Sequence, residues 1–474
     1  MTFQPRFHTL IEVYDRAMRD FGDRPLFGVK GEGAFHWMTY TDFGDQVEAI
    51  RGGLASLGVG PGDRVAVISD NRPSWAVGAY ATYGLGAAYV PLYPAQGDGE
   101  WLHILRDSNA KVVLVEDGEV GLRVAGFREQ LPDLHSIVSM AEVGGPGQSP
   151  WGDLLCAGRE HPVPCRAVSP DEVAAFIYTS GTTGSPKGVL LTHRNLANNV
   201  SAVNEVFPIR PEDRSLAFLP WAHSFGQVVE LHTLFSMGAS MGIAESVDRI
   251  VANLEEVRPT LLFSVPRIFN RIYASVQRTI REGGRLRSAL LRWTLAVAAR
   301  RRRLEGQGRS SLVLTLASRV LDRLVSSKIR ARFGGRLRYA FSGGAAISME
   351  VASFIDALGI TVYEGYGLTE TSPIVTANWP GSRRLGSVGK VLPGVRIALS
   401  DDGEIIVHGH NVMKGYHGLP EENAKVFTAD GGFRTGDMGR IDEEGFLYIT
   451  GRIKEQYKLE NGKYVVPSPL EEQI

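Results

Sequence analysis

Chemistry-bearing residues concentrate in three short stretches. In YTSGTTGSPKGVLLTH, residues 178–193, Thr179, Ser180, Gly181, Thr182, Thr183, Gly184 and Lys187 stand between two apolar runs. The glycines let a backbone approach a ligand without Cβ interference, consecutive turn amides can form an anion nest, and Lys187 adds a mobile cation. This describes a phosphate-binding loop. Pro186 stands where the Walker pattern needs its second glycine, which argues against an ordinary P-loop NTPase. In YEGYGLTETSP, residues 363–373, Tyr366 could stack on a base and Glu370 could ligate a hard cation such as Mg²⁺. In FRTGDMGRIDEEGFLYITGRIKE, residues 433–455, Asp437 suits ribose hydroxyls and Arg452 suits phosphate or ribose oxygens, although either alone is an ordinary surface ion-pair residue.

These stretches need rigid elements to bring them together. Short β-branched runs, RVAVIS (64–69), KVVLVE (111–116) and AFIY (175–178), alternate with helical patterns such as PSWAVGAYATYGLGA (73–87). The alternation predicts parallel sheets covered by helices, an α/β fold. From about residue 385 the runs VRIALS, GEIIVHG and GFLYIT, with Asp-Asp-Gly, Asp-Gly-Gly and Glu-Glu-Gly turns, predict a smaller antiparallel layer.

With 474 residues and 43% hydrophobic residues the chain can bury a large core, and its formal charge of -1 offers no whole-chain attraction to nucleic acid. Cys156 and Cys165 make neither a disulfide framework nor a zinc site and read as free thiols. The N-terminus lacks a signal-peptide pattern and no apolar run reaches the length of a membrane span, so the expected location is cytoplasmic. Between Arg278 and Arg309 ten arginines face two acidic residues around LLRWTLAVAARRRRL. Either a solvated helix face or peripheral contact with an anionic membrane fits that run.

The three stretches occur together in one order and approximate spacing, and in this the chain resembles the adenylate-forming superfamily of acyl-CoA synthetases, luciferases and nonribosomal-peptide adenylation domains. Through LPWAHSFGQVVE (219–230), SVPRIFNRIY (264–273), KIRARFGGRLRYAFSGGAAI (328–347) and KLENGKYVVPSPLE (458–471) it is most similar to the AMP-forming long-chain fatty acyl-CoA synthetases. The resemblance implies a large N-terminal domain of two α/β sheet subdomains and a smaller antiparallel β subdomain over 1–452, then a hinge at Lys454 and a C-terminal domain cut short within 453–474. It implies a two-step reaction with ATP, Mg²⁺, a fatty acid and coenzyme A, impaired in a chain that stops soon after the hinge. Residue by residue, Thr179 to Gly184 and Lys187 would hold the β- and γ-phosphates, Thr369 the α-phosphate and Glu370 the Mg²⁺. Gly343, Gly344, Ala345, Glu364, Gly365, Tyr366 and Gly367 would form the adenine slot, with Asp437 and Arg452 at the ribose. His223 would stand at the carboxylate end of the acyl pocket; from its residues alone it reads equally as a core histidine. A fatty acyl-AMP ligase with another acceptor, another acid–CoA ligase, or a nucleotide-binding module without catalysis are the alternative readings, and oligomeric state is not legible.

Overall fold

The computed structural model describes residues 3–179, 185–282, 284–305, 309–453, 457–458 and 464–465. Ser180, Gly181, Thr182, Thr183, Gly184 and Lys454 lie outside the described residues.

The β-branched runs become strands as their composition predicts. Arg64–Ile68, Val112–Val115 and Val173–Thr179 lie in one eight-stranded sheet with Ala88–Leu92, Ser136–Ser139, Ser149–Pro150, Lys187–Thr192 and Gly415–Tyr416. Most neighbours there are parallel, which explains strands such as Val112–Val115 that are buried on both faces. At one edge the ladder turns antiparallel: Thr179 lies opposite Lys187, and Tyr416 opposite Val189. The helix Pro73–Gly84 is buried over most of its circumference, so it carries almost no polar face.

A second region joins two sheets. Arg214–Ala217, Ser240–Ile243, Pro25–Lys30 and Phe35–Thr39 form one; Leu261–Ser264, Tyr339–Ser342, Val362–Gly367, Ile374–Ala377 and Lys390–Val391 form the other. They adjoin where the Thr260 amide donates to the Arg214 carbonyl at 2.8 Å. The third unit is the expected antiparallel layer, Val395–Leu399, Glu404–Gly409, Phe433–Ile441 and Leu447–Arg452. Asp401-Asp402-Gly403 and Glu443-Glu444-Gly445 close its hairpins, whereas Asp430-Gly431-Gly432 forms a tight reversal leading into Phe433 rather than joining two of these strands.

The arginine-rich segment is helical, Pro266–Glu282 and Gly284–Glu305, followed by Leu312–Leu321. Leu291, Thr294 and Val297 of the second helix are buried, so part of the apolar content of LLRWTLAVAARRRRL serves packing. The exposed apolar stripe lies on the next helix: Leu312, Val313, Leu316 and Val320 are open to solvent, at a spacing close to one helical face. Among the described residues no helix is long and apolar enough to cross a membrane.

Candidate functional site

Parallel strands deliver ligand-facing residues at their carboxyl ends, and the site is built there. Tyr339–Ser342 runs parallel to Val362–Gly367 with Ser342 opposite Glu364, so the turn at Gly343, Gly344 and Ala345 leaves the sheet beside Glu364, Gly365 and Tyr366. Gly344 has φ +81°, a conformation other residues rarely adopt. A Cβ on Gly343 would stand 3.2 Å from the Phe225 ring, and one on Gly367 would stand 1.8 Å from the Pro373 carbonyl oxygen. Close approach to backbone therefore requires glycine at 367, while at 343 it keeps the turn tight against the Phe225 ring.

The Glu364 carboxylate accepts backbone hydrogen bonds from Ile347 and Gly386, yet burial dominates and pushes its pKa up to about 7. Two residues on, the Tyr366 hydroxyl donates to Asp437 Oδ2 at 2.8 Å. Arg452 Nε donates to Asp437 Oδ1 at 3.0 Å, a pairing prepared by register because Asp437 and Arg452 face each other across the hairpin. Asp437 is buried, while the Arg452 side chain is mostly exposed. Burial first, then the Asp437 charge, raises the Tyr366 pKa and keeps its hydroxyl a donor.

Glu370 joins this group to Lys187. The Tyr416 hydroxyl donates to Glu370 Oε1 at 2.8 Å, and Lys187 Nζ lies 5.4 Å from the centre of the Tyr416 ring. Burial raises the Glu370 pKa, opposed by hydrogen bonds and by the Lys187 charge. Lys187 Nζ donates to Glu422 Oε2 at 2.7 Å, and Lys425 Nζ donates to Glu422 Oε1 at 2.7 Å. The two cations hold the Glu422 pKa down to about 2. Tyr416 reaches this place because the His417 amide donates to the Gly188 carbonyl and the Lys414 amide to the Leu190 carbonyl, docking residues 415–416 against the strand that begins at Lys187.

Thr369 links the group to the 219–230 stretch. Its Oγ1 lies 3.3 Å from Ser224 Oγ, and both residues are buried. The preceding residue, His223, is exposed, which removes the core-histidine reading. Its Nδ1 accepts from the Phe225 amide at 3.1 Å, assigning the remaining proton to Nε2. Solvent reaches the ring, but the surrounding protein still disfavours the imidazolium and lowers its pKa.

Of the residues singled out from sequence, Lys187, Glu370 and Thr369 thus fall in one connected set of contacts with Tyr366, Asp437 and Arg452 beside it, and Thr179 ends the strand opposite Lys187. Sequence reasoning missed Tyr416, Glu422 and Ser224. Ser224 stood within a stretch already noted; Tyr416 and Glu422 sit in KGYHGLPEEN, which has no spacing that suggests chemistry.

A family model described as AMP-binding enzyme matches residues 14–417. The chain belongs to the AMP-binding enzyme family. This AMP-binding enzyme is 34% identical over 469 residues to a long-chain-fatty-acid–CoA ligase, FadD15, of Mycobacterium bovis, covering 96% of this chain and 76% of that protein. It is 32% identical to the peroxisomal long chain acyl-CoA synthetase 6 of Arabidopsis thaliana, covering 98% of this chain and 70% of that one. Among solved structures, the ATP-bound MatB of Rhodopseudomonas palustris superposes with a TM-score of 0.76 at 26% identity, covering 98% of this chain and 82% of that chain.

Proposed function

We propose that this protein is an AMP-forming long-chain fatty acid–CoA ligase. The observation that carries the reading is the continuous run of contacts from Ser224 through Thr369 and Glu370 to Tyr416 and Lys187, with the Tyr366–Asp437–Arg452 group alongside. In the first step a fatty carboxylate oxygen attacks the α-phosphorus of ATP and pyrophosphate leaves; in the second the coenzyme A thiol attacks the acyl carbonyl, and AMP leaves. The obstacle is bringing anions together, so the protein's work is orientation and charge neutralisation.

Lys187 and residues 179–184 hold the β- and γ-phosphates in this reading, Thr369 touches the α-phosphate, and Tyr366 stacks on adenine beside Gly343, Gly344 and Ala345. Asp437, steadied by Arg452, takes the ribose hydroxyls, and His223 stands at the carboxylate end of the acyl site. A single carboxylate, Glu370, fits a Mg²⁺ held chiefly by phosphate oxygens, and the ion would supply charge neutralisation there. The test is mass spectrometry of the products that the full-length enzyme forms from ATP, Mg²⁺, coenzyme A and mixed fatty acids. Acyl-CoA with AMP and pyrophosphate is expected; ADP as product, or an acyl-adenylate that coenzyme A does not discharge, would overturn the reading.

The acid's source suggests peripheral contact with an anionic membrane, moved from the 278–309 run toward the helix that follows. Beside the Leu312–Val320 stripe lies a cavity of about 740 Å³ whose lining includes Arg301, Arg319 and Arg323. The acids in that lining, Asp322 and Asp356, are paired with Arg330 and Arg383 at 2.6 and 3.0 Å. An apolar stripe beside guanidinium groups matches a surface with acyl chains beneath phosphate.

A further inference from the structure

Glu422 has no place in the reaction just described, yet it makes the closest polar contact of the lysine assigned to the triphosphate. The Lys187 side chain is only 15% exposed, and its Nζ is paired with a carboxylate at 2.7 Å. That carboxylate comes from the first turn of the helix Pro420–Val426 and is held from its other oxygen by Lys425. A polyphosphate engaging Lys187 must either displace Glu422 or accept a negative charge a few ångströms away. In both cases the carboxylate opposes the ligand, because like charges at such range repel and a partly buried pair is only weakly screened.

We propose that Glu422 is a positioning residue that competes with the nucleotide's polyphosphate for Lys187, so that the site distinguishes ligands by how much charge they bring there. ATP reaches Lys187 with its β- and γ-phosphates and must break the pair. AMP and an acyl-adenylate carry no phosphate beyond the α position and bind with the pair intact. Loss of pyrophosphate then restores the Lys187–Glu422 contact, which favours departure of that product and leaves the adenylate's own contacts at Tyr366 and Asp437 undisturbed. The inference rests on the reading of Lys187 as a triphosphate residue.

The test measures ATP, pyrophosphate and AMP binding by calorimetry, with Mg²⁺, in the unaltered protein, Glu422→Gln and Lys187→Ala. Glutamine keeps an oxygen that can accept from Lys187 Nζ and removes the charge. Glu422→Gln should bind ATP and pyrophosphate about threefold to tenfold more tightly, the scale of one charge contact between surface and interior, and should leave AMP unchanged. The gain should shrink as salt is raised. Unchanged or weaker ATP binding, or an equal shift for ATP and AMP, would overturn the competition and mark Glu422 as structural. If Lys187→Ala leaves ATP binding intact, the assignment of Lys187 itself is wrong and the competition falls with it. If Lys187→Ala weakens ATP while Glu422→Gln does not strengthen it, the assignment stands and only the competition fails.

Discussion

The contacts around Glu370 and Asp437 contrast with the face of the helix Leu312–Leu321. In the first region the ionised groups answer one another: Asp437 has Tyr366 and Arg452, Lys187 has Glu422, and Glu370 has Tyr416. In the second, Leu312, Val313, Leu316 and Val320 lie open to solvent with arginines nearby. The polar region is held by its own hydrogen bonds and ion pairs. The helical face leaves more than half of each of these side chains uncovered, so its energetics depend on what it meets. The difference separates a region whose polar groups pair with one another from a face that leaves apolar side chains open to solvent.

The sharpest way to break this contrast is Glu370→Gln, which preserves shape and deletes the charge. It should lower kcat/KM for the ligation reaction by about a hundredfold or more, with thermal stability little changed, the scale of losing one electrostatic contact to a reacting phosphate. A loss under fivefold would remove Glu370 from the chemistry.

Comparable in size is a pH effect at Glu364. Its pKa rises from 4.5 to about 7 on folding. The folded state therefore holds the proton more tightly, and this stabilisation is complete below pH 4.5 and lost as pH rises through 7. Measured by urea unfolding, the stability of the unaltered protein relative to Glu364→Gln should fall by about 3 kcal/mol between pH 4.5 and pH 7.5. A difference that does not move with pH would show that the carboxyl is not forced toward neutrality.

On the helical face, Leu312→Asp with Leu316→Asp should reduce flotation with vesicles rich in anionic phospholipid by about tenfold, while ATP binding stays the same. Equal flotation would place membrane contact elsewhere, and a change of oligomeric state in the variant would point to a second copy as the stripe's cover. The smallest effect is expected from Tyr416→Phe. It leaves the ring beside Lys187 and removes one hydrogen bond to Glu370, costing about 1 kcal/mol, or roughly fivefold in kcat/KM.

Much of this architecture is written locally. Val112–Val115 and Val173–Thr179 announce themselves through β-branched runs, and the hairpins through Asp-Asp-Gly and Glu-Glu-Gly, because strand and turn preferences act over a few residues. The Asp437–Arg452 pair was visible as two candidates, and the hairpin register explains why they meet. Tyr416 and Glu422 were hidden for the opposite reason. Glu422 meets Lys187 across 235 residues of chain and Tyr416 meets Glu370 across 46, distances over which no periodicity survives. The apolar stripe was displaced onto the next helix because one sequence cannot tell which side of the arginine-rich helix buries Leu291, Thr294 and Val297.

Thr179 and Lys187 occupy facing rungs of the sheet, so the seven positions between them form a span whose ends are fixed by the ladder itself. Holding those two rungs together draws on pairing that the sheet makes in any case, so bringing Thr179 and Lys187 to one place costs the chain little beyond the ladder itself.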